Sequence, residues 1–375
     1  MQKNTPLTLL AGLSPAQFMK RHWQKKPLLI RQAIAGFAPL VDRSTLLAMV
    51  ESEEVESRCI VRKGAAWTLR KGPFSRRSLP SLKTPDWTVL LQGVDLHNDA
   101  VHALLQQFRF VPDARLDDLM ISYATDGGGV GPHFDSYDVF LLQAHGQRRW
   151  RIGRQKTPEL QADVPLKILK NFQPEAEYLL NPGDMLYLPP GYAHDGTAVG
   201  ECMTYSVGFK VPSRAELARQ LLLGLADEAG QNELKSQGAM LYQDAQQEAA
   251  LRDAQIPLAL QNFAFDAVKR AMKEPQLLNC LLGEYLTEPK PQVWFDARPS
   301  PPTWPCAIVL DRRTKMLHDA KHIFVNGESF KATGRDAKIL RLLAKDRRLS
   351  AHLACQLSPE AAALVQDWGS EGWWA

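Results

Sequence analysis

Two histidines and one carboxylate are the residues of this chain whose types and spacing could do chemistry. His133 and Asp135 stand in the triplet His133-Phe134-Asp135, inside the glycine-rich stretch from Gly127 to Gln143, and His194 closes the run from Asn181 to His194. A close pair with a third ligand far away matches the 2-His-1-carboxylate facial triad, which leaves three positions of an octahedral iron open. A cosubstrate could chelate two of these and O₂ could take the last. In a strand, residues i and i+2 point to the same face. His133 and Asp135 would then reach one ion while Phe134 faces away. His194 lies 59 positions beyond Asp135. That distance is too long for a hairpin and suits the return leg of a β-sandwich or barrel.

An H-x-D triplet alone is common on protein surfaces, so the weight falls on the joint pattern. A glycine-rich entry is followed by H-x-D, an apolar run, and then G-D-x-x-Y-x-P-x-G-x-x-H from Gly183 to His194. The elements that must hold these residues read as follows. Val139 to Gln143 is an apolar strand, and Gly146 is expected to turn it back into Arg148 to Ile152. Period-2 parity puts Arg148, Trp150 and Ile152 on one face, with Arg149 and Arg151 on the other. Trp150 and Ile152 are apolar, so Arg148 shares the inward face, and a buried arginine needs an anion. A bidentate carboxylate is its natural partner. Pro182-Gly183-Asp184 reads as a turn, Met185 to Leu188 as a short strand, and Pro189-Pro190-Gly191 as a rigid corner. In the strand Cys202 to Gly208, Thr204 and Ser206 share one face. Gly127-Gly128-Gly129 with Gly131 fits no nucleotide-binding G-x-G-x-x-G, because no helix pattern follows. These glycines are expected to let backbone pass close to a ligand or substrate.

Residues 1–210 resemble the JmjC-type, cupin-fold oxygenases, closest to the bacterial ribosomal oxygenases that hydroxylate an arginine of a large-subunit ribosomal protein. The residues that carry the resemblance are 22–31 (HWQKKPLLIR), 117–143, 146–153 (GQRRWRIG), 182–196 (PGDMLYLPPGYAHDG) and 205–214 (YSVGFKVPSR). The resemblance implies a mixed α+β chain: a double-stranded β-helix (cupin or jelly-roll) core, a helical dimerisation region and a small winged-helix-like C-terminal domain. It implies Fe(II) on His133, Asp135 and His194, with 2-oxoglutarate and O₂ as cosubstrates. Arg148 carries over as the partner of the distal carboxylate of 2-oxoglutarate, and Ser122, Thr204 and Ser206 are expected to hydrogen-bond the cosubstrate. An arginine substrate would want acidic and aromatic groups at the mouth. Asp126, Tyr137 and Asp138 are the expected contacts, Tyr137 by its shared parity with His133 and Asp135. The partners implied are a large-subunit ribosomal protein and a second copy of the chain, with no membrane and no required nucleic acid.

The 375 residues suggest two or three domains, and 45% hydrophobic content is ordinary for a globular protein. A net charge of +4, from 45 basic and 41 acidic residues, is too mild to demand nucleic acid. Five scattered cysteines, Cys59, Cys202, Cys280, Cys306 and Cys355, form no C-x-x-C pair and fit a reducing compartment. Neither a signal peptide nor a run of roughly 18 apolar residues is present, which points to a soluble, cytoplasmic protein.

The expected division is 1–210 catalytic, 211–288 helical, 289–305 proline-rich linker and 306–375 winged-helix-like. Ser14 should cap a helix from Pro15 to about Gln24, and Ser44 another over 44–54. Residues 57–92 alternate short strands with polar turns and are dense in Arg and Lys, a solvated face or an edge that meets a ribosomal protein or RNA. Residues 96–112 read as helix. Ser213 and Glu216 form a capping box that starts a Leu-striped helix to about Ala229, with more helix over 231–251 and 257–287. Asn326-Gly327 marks a type I′ hairpin between His322–Val325 and Glu328–Phe330. Helices should follow at 334–345 and 358–368. Trp368, Trp373 and Trp374 are expected to dock onto the main body. The rival readings are a histidine hydroxylase or lysyl demethylase of the same superfamily, a non-catalytic cupin that binds RNA or the ribosome, and a cupin isomerase or dioxygenase without 2-oxoglutarate.

Overall fold

The computed structural model describes residues 3–155, 157–235, 240–246, 255–273, 275–298 and 303–375. The chain gathers into two compact units, the first of Met1–Val211 with Pro291–Trp294 and the second of Pro212–Lys290 with Phe295–Ala375.

The first unit contains α1 (Pro15–Arg21), β1 (Leu28–Ile30), α2 (Arg43–Met49), β2 (Ser57–Lys63), β3 (Ala66–Lys71), β4 (Trp87–Leu91), α3 (Asp99–Leu105), β5 (Leu116–Ala124), β6 (Asp138–Arg154), β7 (Ala176–Leu180), β8 (Met185–Leu188) and β9 (Tyr192–Phe209). The strands form one antiparallel sheet in the order β1-β8-β6-β9-β5-β4-β2-β3, with β7 also paired to β6. β6 and β9 are the spine. β8 pairs with the first part of β6, Val139 to Leu142, and β7 with the second, Arg148 to Ile152. β9 runs along the other edge of β6 through both parts. Two strands that each serve both halves close a double-stranded β-helix.

The sheet buries both faces. Phe140, Leu142, Tyr205 and Val207 face the larger core with Phe18 of α1, Trp23 of the turn after it and Leu104 of α3. Val139, Leu141, Trp150 and Ile152 face a smaller cluster with Leu180, Leu186 and Leu188. Arg148 and Trp150 share a face with Val139 and Leu141, although one pair is even-numbered and the other odd. The switch occurs at Gly146. Rather than turning the chain back, Gly146 sits in a bulge, with register shifts at Gln143/His145 and His145/Gln147. Its φ is +59, and a Cβ there would lie 2.0 Å from the Glu201 carbonyl oxygen. A bulge inserts an unmatched residue and re-aims every side chain beyond it.

Local signals account for the helix ends. Ser14 caps α1 in a capping box with Gln17, worth about 1 kcal/mol. α1 ends at Arg21 instead of Gln24, since Gln24 has a φ of +54. Asp42, not Ser44, caps α2 by accepting the Thr45 N–H at 2.8 Å. A carboxylate two residues earlier outcompetes the serine, and the helix stops at Met49. The helix expected over 96–112 shrinks to Asp99–Leu105, flanked by 3₁₀ turns.

The second unit contains α4 (Arg214–Lys235), α5 (Leu258–Ala271), α6 (Pro275–Thr287), β10 (Ile308–Val309), β11 (Met316–His318), β12 (His322–Val325), β13 (Glu328–Lys331), α7 (Gly334–Asp346), β14 (Arg348–Leu349), α8 (Ala351–Ala354) and α9 (Pro359–Ser370). Ser213 and Glu216 cap α4 reciprocally. Of the helix expected over 231–251, residues 231–235 continue α4 and 240–246 are not helical; 236–239 and 247–251 lie outside the described residues, as do Pro299, Pro301 and Pro302 of the expected linker. Leu225 of the stripe is buried, while Leu222 is 53% exposed. Asn326 and Gly327 both take positive φ, as a type I′ turn requires. Trp368, Trp373 and Trp374 need no docking onto the main body to be buried. They are buried in the core of their own unit, with Ile308, Leu340 and Val365. Trp374 also donates to the Val365 carbonyl at 2.6 Å. A ring that fills its own small domain's core has no apolar area left to offer elsewhere.

Candidate metal centre and cosubstrate pocket

His133 and Asp135 do not lie on a strand. Residues 125–137 run outside the sheet, and the single ladder step is an isolated antiparallel bridge between His133 and His194 of β9. The two residues exchange both backbone hydrogen bonds, at 2.9 and 2.8 Å. Directly opposed residues project to the same face, and the imidazole centroids lie 4.3 Å apart. The extended trace still gives the i, i+2 relation, so Asp135 joins the two rings while Phe134 turns out, 41% exposed. Asp135 approaches His133 Nε2 at 4.0 Å and His194 Nε2 at 3.5 Å. One ligand atom from each residue falls within 4.8 Å of the others.

The donor chemistry fits a metal. His133 Nδ1 bonds the Gly131 carbonyl at 2.8 Å and His194 Nδ1 the Tyr192 carbonyl at 3.0 Å. A carbonyl only accepts, so each Nδ1 carries the proton and each Nε2 offers its lone pair to the site. Burial, and next the adjacent His133, push the pKa of His194 down to about 4, against the pull of Asp135. His194 is therefore neutral near pH 7, the form that ligates.

The glycines ahead of the triad serve the backbone itself. A Cβ on Gly128 would lie 2.3 Å from the Trp87 carbonyl oxygen, and one on Gly129 would lie 2.4 Å from that of Gly196. The close neighbours expected of a ligand are thus the protein's own strands.

The triad opens on a cavity of about 320 Å³. Arg148 lines it, 4% exposed. Its Nη1 donates to Ser122 Oγ at 2.9 Å and Thr204 Oγ1 at 3.3 Å, and the Thr204 hydroxyl donates onward to Gln143 Oε1 at 2.9 Å. The guanidinium lies 5.3 Å from the Trp150 ring centroid. Its Nε is buried with no hydrogen-bond partner, and no carboxylate among the described residues pairs with it. Hydroxyls orient this cation but leave its charge uncompensated, so the pocket is built for an incoming anion. Ser206 lines the same wall.

The expected substrate contacts divide. Tyr137 lines the cavity; burial of its hydroxyl, and then Asp135 and Asp118, push its pKa well up, so it stays a phenol. Asp126 is exposed and accepts the Gly200 N–H at 2.8 Å. Asp138 is fully buried on the other face of β6, bonded to Tyr187 and paired with Arg115. Neither reaches the cavity. Asp117 and Asp118 supply the acidic lining instead. Asp118 Oδ2 accepts from Gly93 N at 3.0 Å and Gln92 Nε2 at 3.3 Å. Strand parity counted back from Ser122 through Met120 reaches Asp118, so the signal was there to read. Arg58 also lines the cavity, donating to Gln92 Oε1 at 3.0 Å; only the fold brings β2 there.

Residues 103–217 match the family model of the JmjC domain, and residues 269–375 that of the ROXA-like winged helix. The chain is 32% identical over 331 residues to the Escherichia coli protein named ribosomal protein uL16 3-hydroxylase, a match spanning 85% of this chain and 86% of that one. An X-ray structure of E. coli ycfD is similar at a TM-score of 0.81 and 29% identity, covering 96% of this chain and 97% of that one. The ribosomal oxygenase YcfD in complex with cobalt and 2-oxoglutarate gives a TM-score of 0.76 at 29% identity, over the same shares.

Proposed function

The chain belongs to the JmjC-type ribosomal oxygenase family, and from that membership we propose that it hydroxylates an arginine side chain of a large-subunit ribosomal protein. It is an oxygenase that uses Fe(II), with 2-oxoglutarate and O₂ as cosubstrates. The observation that carries the site assignment is Arg148, a buried guanidinium without an acid partner, on the wall of the cavity that the triad opens.

His133, Asp135 and His194 would hold the metal, the imidazoles pre-aligned by the Gly131 and Tyr192 carbonyls. Arg148, with Ser122 and Thr204, would receive the distal carboxylate of 2-oxoglutarate. When bound, the metal and cosubstrate supply the oxidation: O₂ is consumed, succinate and CO₂ leave, and one oxygen atom enters a substrate C–H bond. The protein's part is to position the groups and exclude water. Trp150 and Leu141 wall the pocket with apolar surface. Asp117, Asp118 and Tyr137 would take the substrate guanidinium, which needs carboxylate and aromatic neighbours.

The organisation proposed with this activity is a catalytic domain over 1–210, a helical region over 211–288 that joins two copies, a linker over 289–305 and a winged-helix domain over 306–375. Exposed apolar side chains favour the dimer: Leu222 and Leu223 on α4, Leu258 and Phe265 on α5, each at least half exposed. Light scattering at micromolar concentration should give twice the chain mass of 42.0 kDa; a monomer removes the assignment. No helix of the described residues is long and apolar enough to cross a membrane, and a ribosomal-protein substrate supports a cytoplasmic reaction. The reaction is tested by incubating the protein with Fe(II), 2-oxoglutarate and a ribosomal extract. A gain of about 16 Da on an arginine-containing peptide is expected; the same gain on a histidine, or loss of a methyl group from lysine, replaces the substrate assignment.

A further inference from the structure

Residues 57–85, which hold β2, β3 and the segment after them, carry eight Lys and Arg and no Asp or Glu. Removing those eight from the 45 basic residues leaves 37 against 41 acidic ones in the rest of the chain. The chain's positive excess therefore resides in this one stretch. We propose that it is a docking surface for the phosphate backbone of an RNA that accompanies the protein substrate.

The stretch stands at the right place. β3 ends the sheet, and no further strand among the described residues covers it. Arg58 of β2 lines the cavity, and its cross-strand neighbour Lys71 shares its face. Lys167 lines the cavity as well and is exposed. The cavity lining thus holds the cations Arg58 and Lys167 beside Asp117, Asp118 and Tyr137, and the exposed cations of the stretch continue outward from Arg58 through Lys71. A partner that inserts a basic side chain but meets these cations with its body must present negative charge around the inserted residue. A ribosomal protein resting on its RNA does so; a free basic protein does not.

Glu53, Glu54 and Glu56 are exposed just ahead of β2 and pair with none of these cations among the described residues, while two further carboxylates are engaged. Asp86 pairs with Arg62, and Glu51 accepts the backbone N–H of Arg76 at 2.9 Å. Lys63, Lys71, Arg76, Arg77 and Lys83 are exposed, and none has a carboxylate partner among the described residues. Five cations with free charge should release counterions when they meet phosphates, with a slope of log K on log salt of about −0.7 per contact for single strands. The choice of RNA over other polyanions rests on the ribosomal-protein reading above, but RNA binding is measured without turnover, so the two can fail separately.

The test titrates the full-length protein with a 30-nucleotide poly(U) between 50 and 200 mM salt. Five contacts predict a slope of about −3.5 and a loss of roughly 100-fold in affinity across that range. The variant K63Q/R76Q/R77Q/K83Q, checked for an unchanged melting temperature, should lose most of the binding and retain a slope of about −0.7. The wild-type slope tests the proposal even if that variant fails to fold. Absence of salt-dependent binding at 50 mM overturns it. A folded variant that binds like wild type also overturns it, placing RNA elsewhere. Equal binding of poly-glutamate, lost in the same variant, replaces RNA with an acidic protein surface.

Discussion

Asp138 and Arg148 both lie on β6 and both are buried, at 0% and 4% exposure. They point to opposite faces, and their surroundings differ in kind. Asp138 accepts from the Tyr187 hydroxyl at 2.6 Å and Gln24 Nε2 at 3.2 Å, and pairs with Arg115 at 3.3 Å. Burial pushes its pKa up, while these partners pull the other way. The charge is answered entirely from within the chain. Arg148 is held by two hydroxyls, faces a cavity and keeps one nitrogen without a partner. A charge that the fold satisfies ties elements together, here β6, β8 and the turn after α1. A charge that the fold orients but leaves unanswered costs stability until a ligand arrives, and so marks a binding site.

The largest effect should come from the triad, beside which Arg148 has its meaning. His133→Ala or Asp135→Ala should abolish iron-dependent turnover of 2-oxoglutarate, with the circular dichroism spectrum of the wild type retained. Full turnover in both variants would remove the metal assignment. Next is the satisfied charge. Asp138→Ala removes the acceptor of the Tyr187 hydroxyl and the acid partner of Arg115 and should cost about 3 kcal/mol in denaturant unfolding of the catalytic unit. If instead the variant keeps wild-type stability and loses cosubstrate affinity, the contrast between the two faces collapses.

Arg148→Ala should behave the other way. A hydrogen bond to a charged group is worth roughly 1.5–3 kcal/mol, so the apparent KM for 2-oxoglutarate should rise by roughly one to two orders of magnitude. Iron affinity should barely change. Arg148→Lys should recover only part, because lysine keeps the charge but not the planar fork. The smallest effect sharpens the comparison. Arg149 faces outward and meets Glu177 at 3.3 Å, with both side chains about half exposed. Arg149→Ala should change stability by less than about 1 kcal/mol and leave the KM alone. A damaging Arg149→Ala beside a silent Arg148→Ala would show the strand register to be wrong by one.

Much of this site was legible before any fold. His133, Asp135 and His194 are drawn together as their spacing suggested, though by a lone bridge rather than a strand. Arg148 was placed correctly because parity was counted from Trp150 and Ile152, beyond the bulge at Gly146. Counted from Val139, the same rule would have put it on the wrong face. Asp126 and Asp138 were misplaced because proximity in sequence to the triad was taken for proximity in space, while Asp118 was a parity step from Ser122.

What the sequence determined alone are features set within a few residues: the Ser14 and Ser213 capping boxes, the Asn326-Gly327 turn, the ligand types, and the shared face of Thr204 and Ser206. Each rests on backbone geometry that repeats every two to four residues. What only the tertiary structure decided is which charge meets which partner. Asp138 and Arg148 are both ionisable residues in an apolar strand, and the parity that gives Arg148 its face does not say what either charge meets there. The difference is made by Tyr187 and Gln24 on one face and an open cavity on the other, brought there by pairings between strands tens of residues apart.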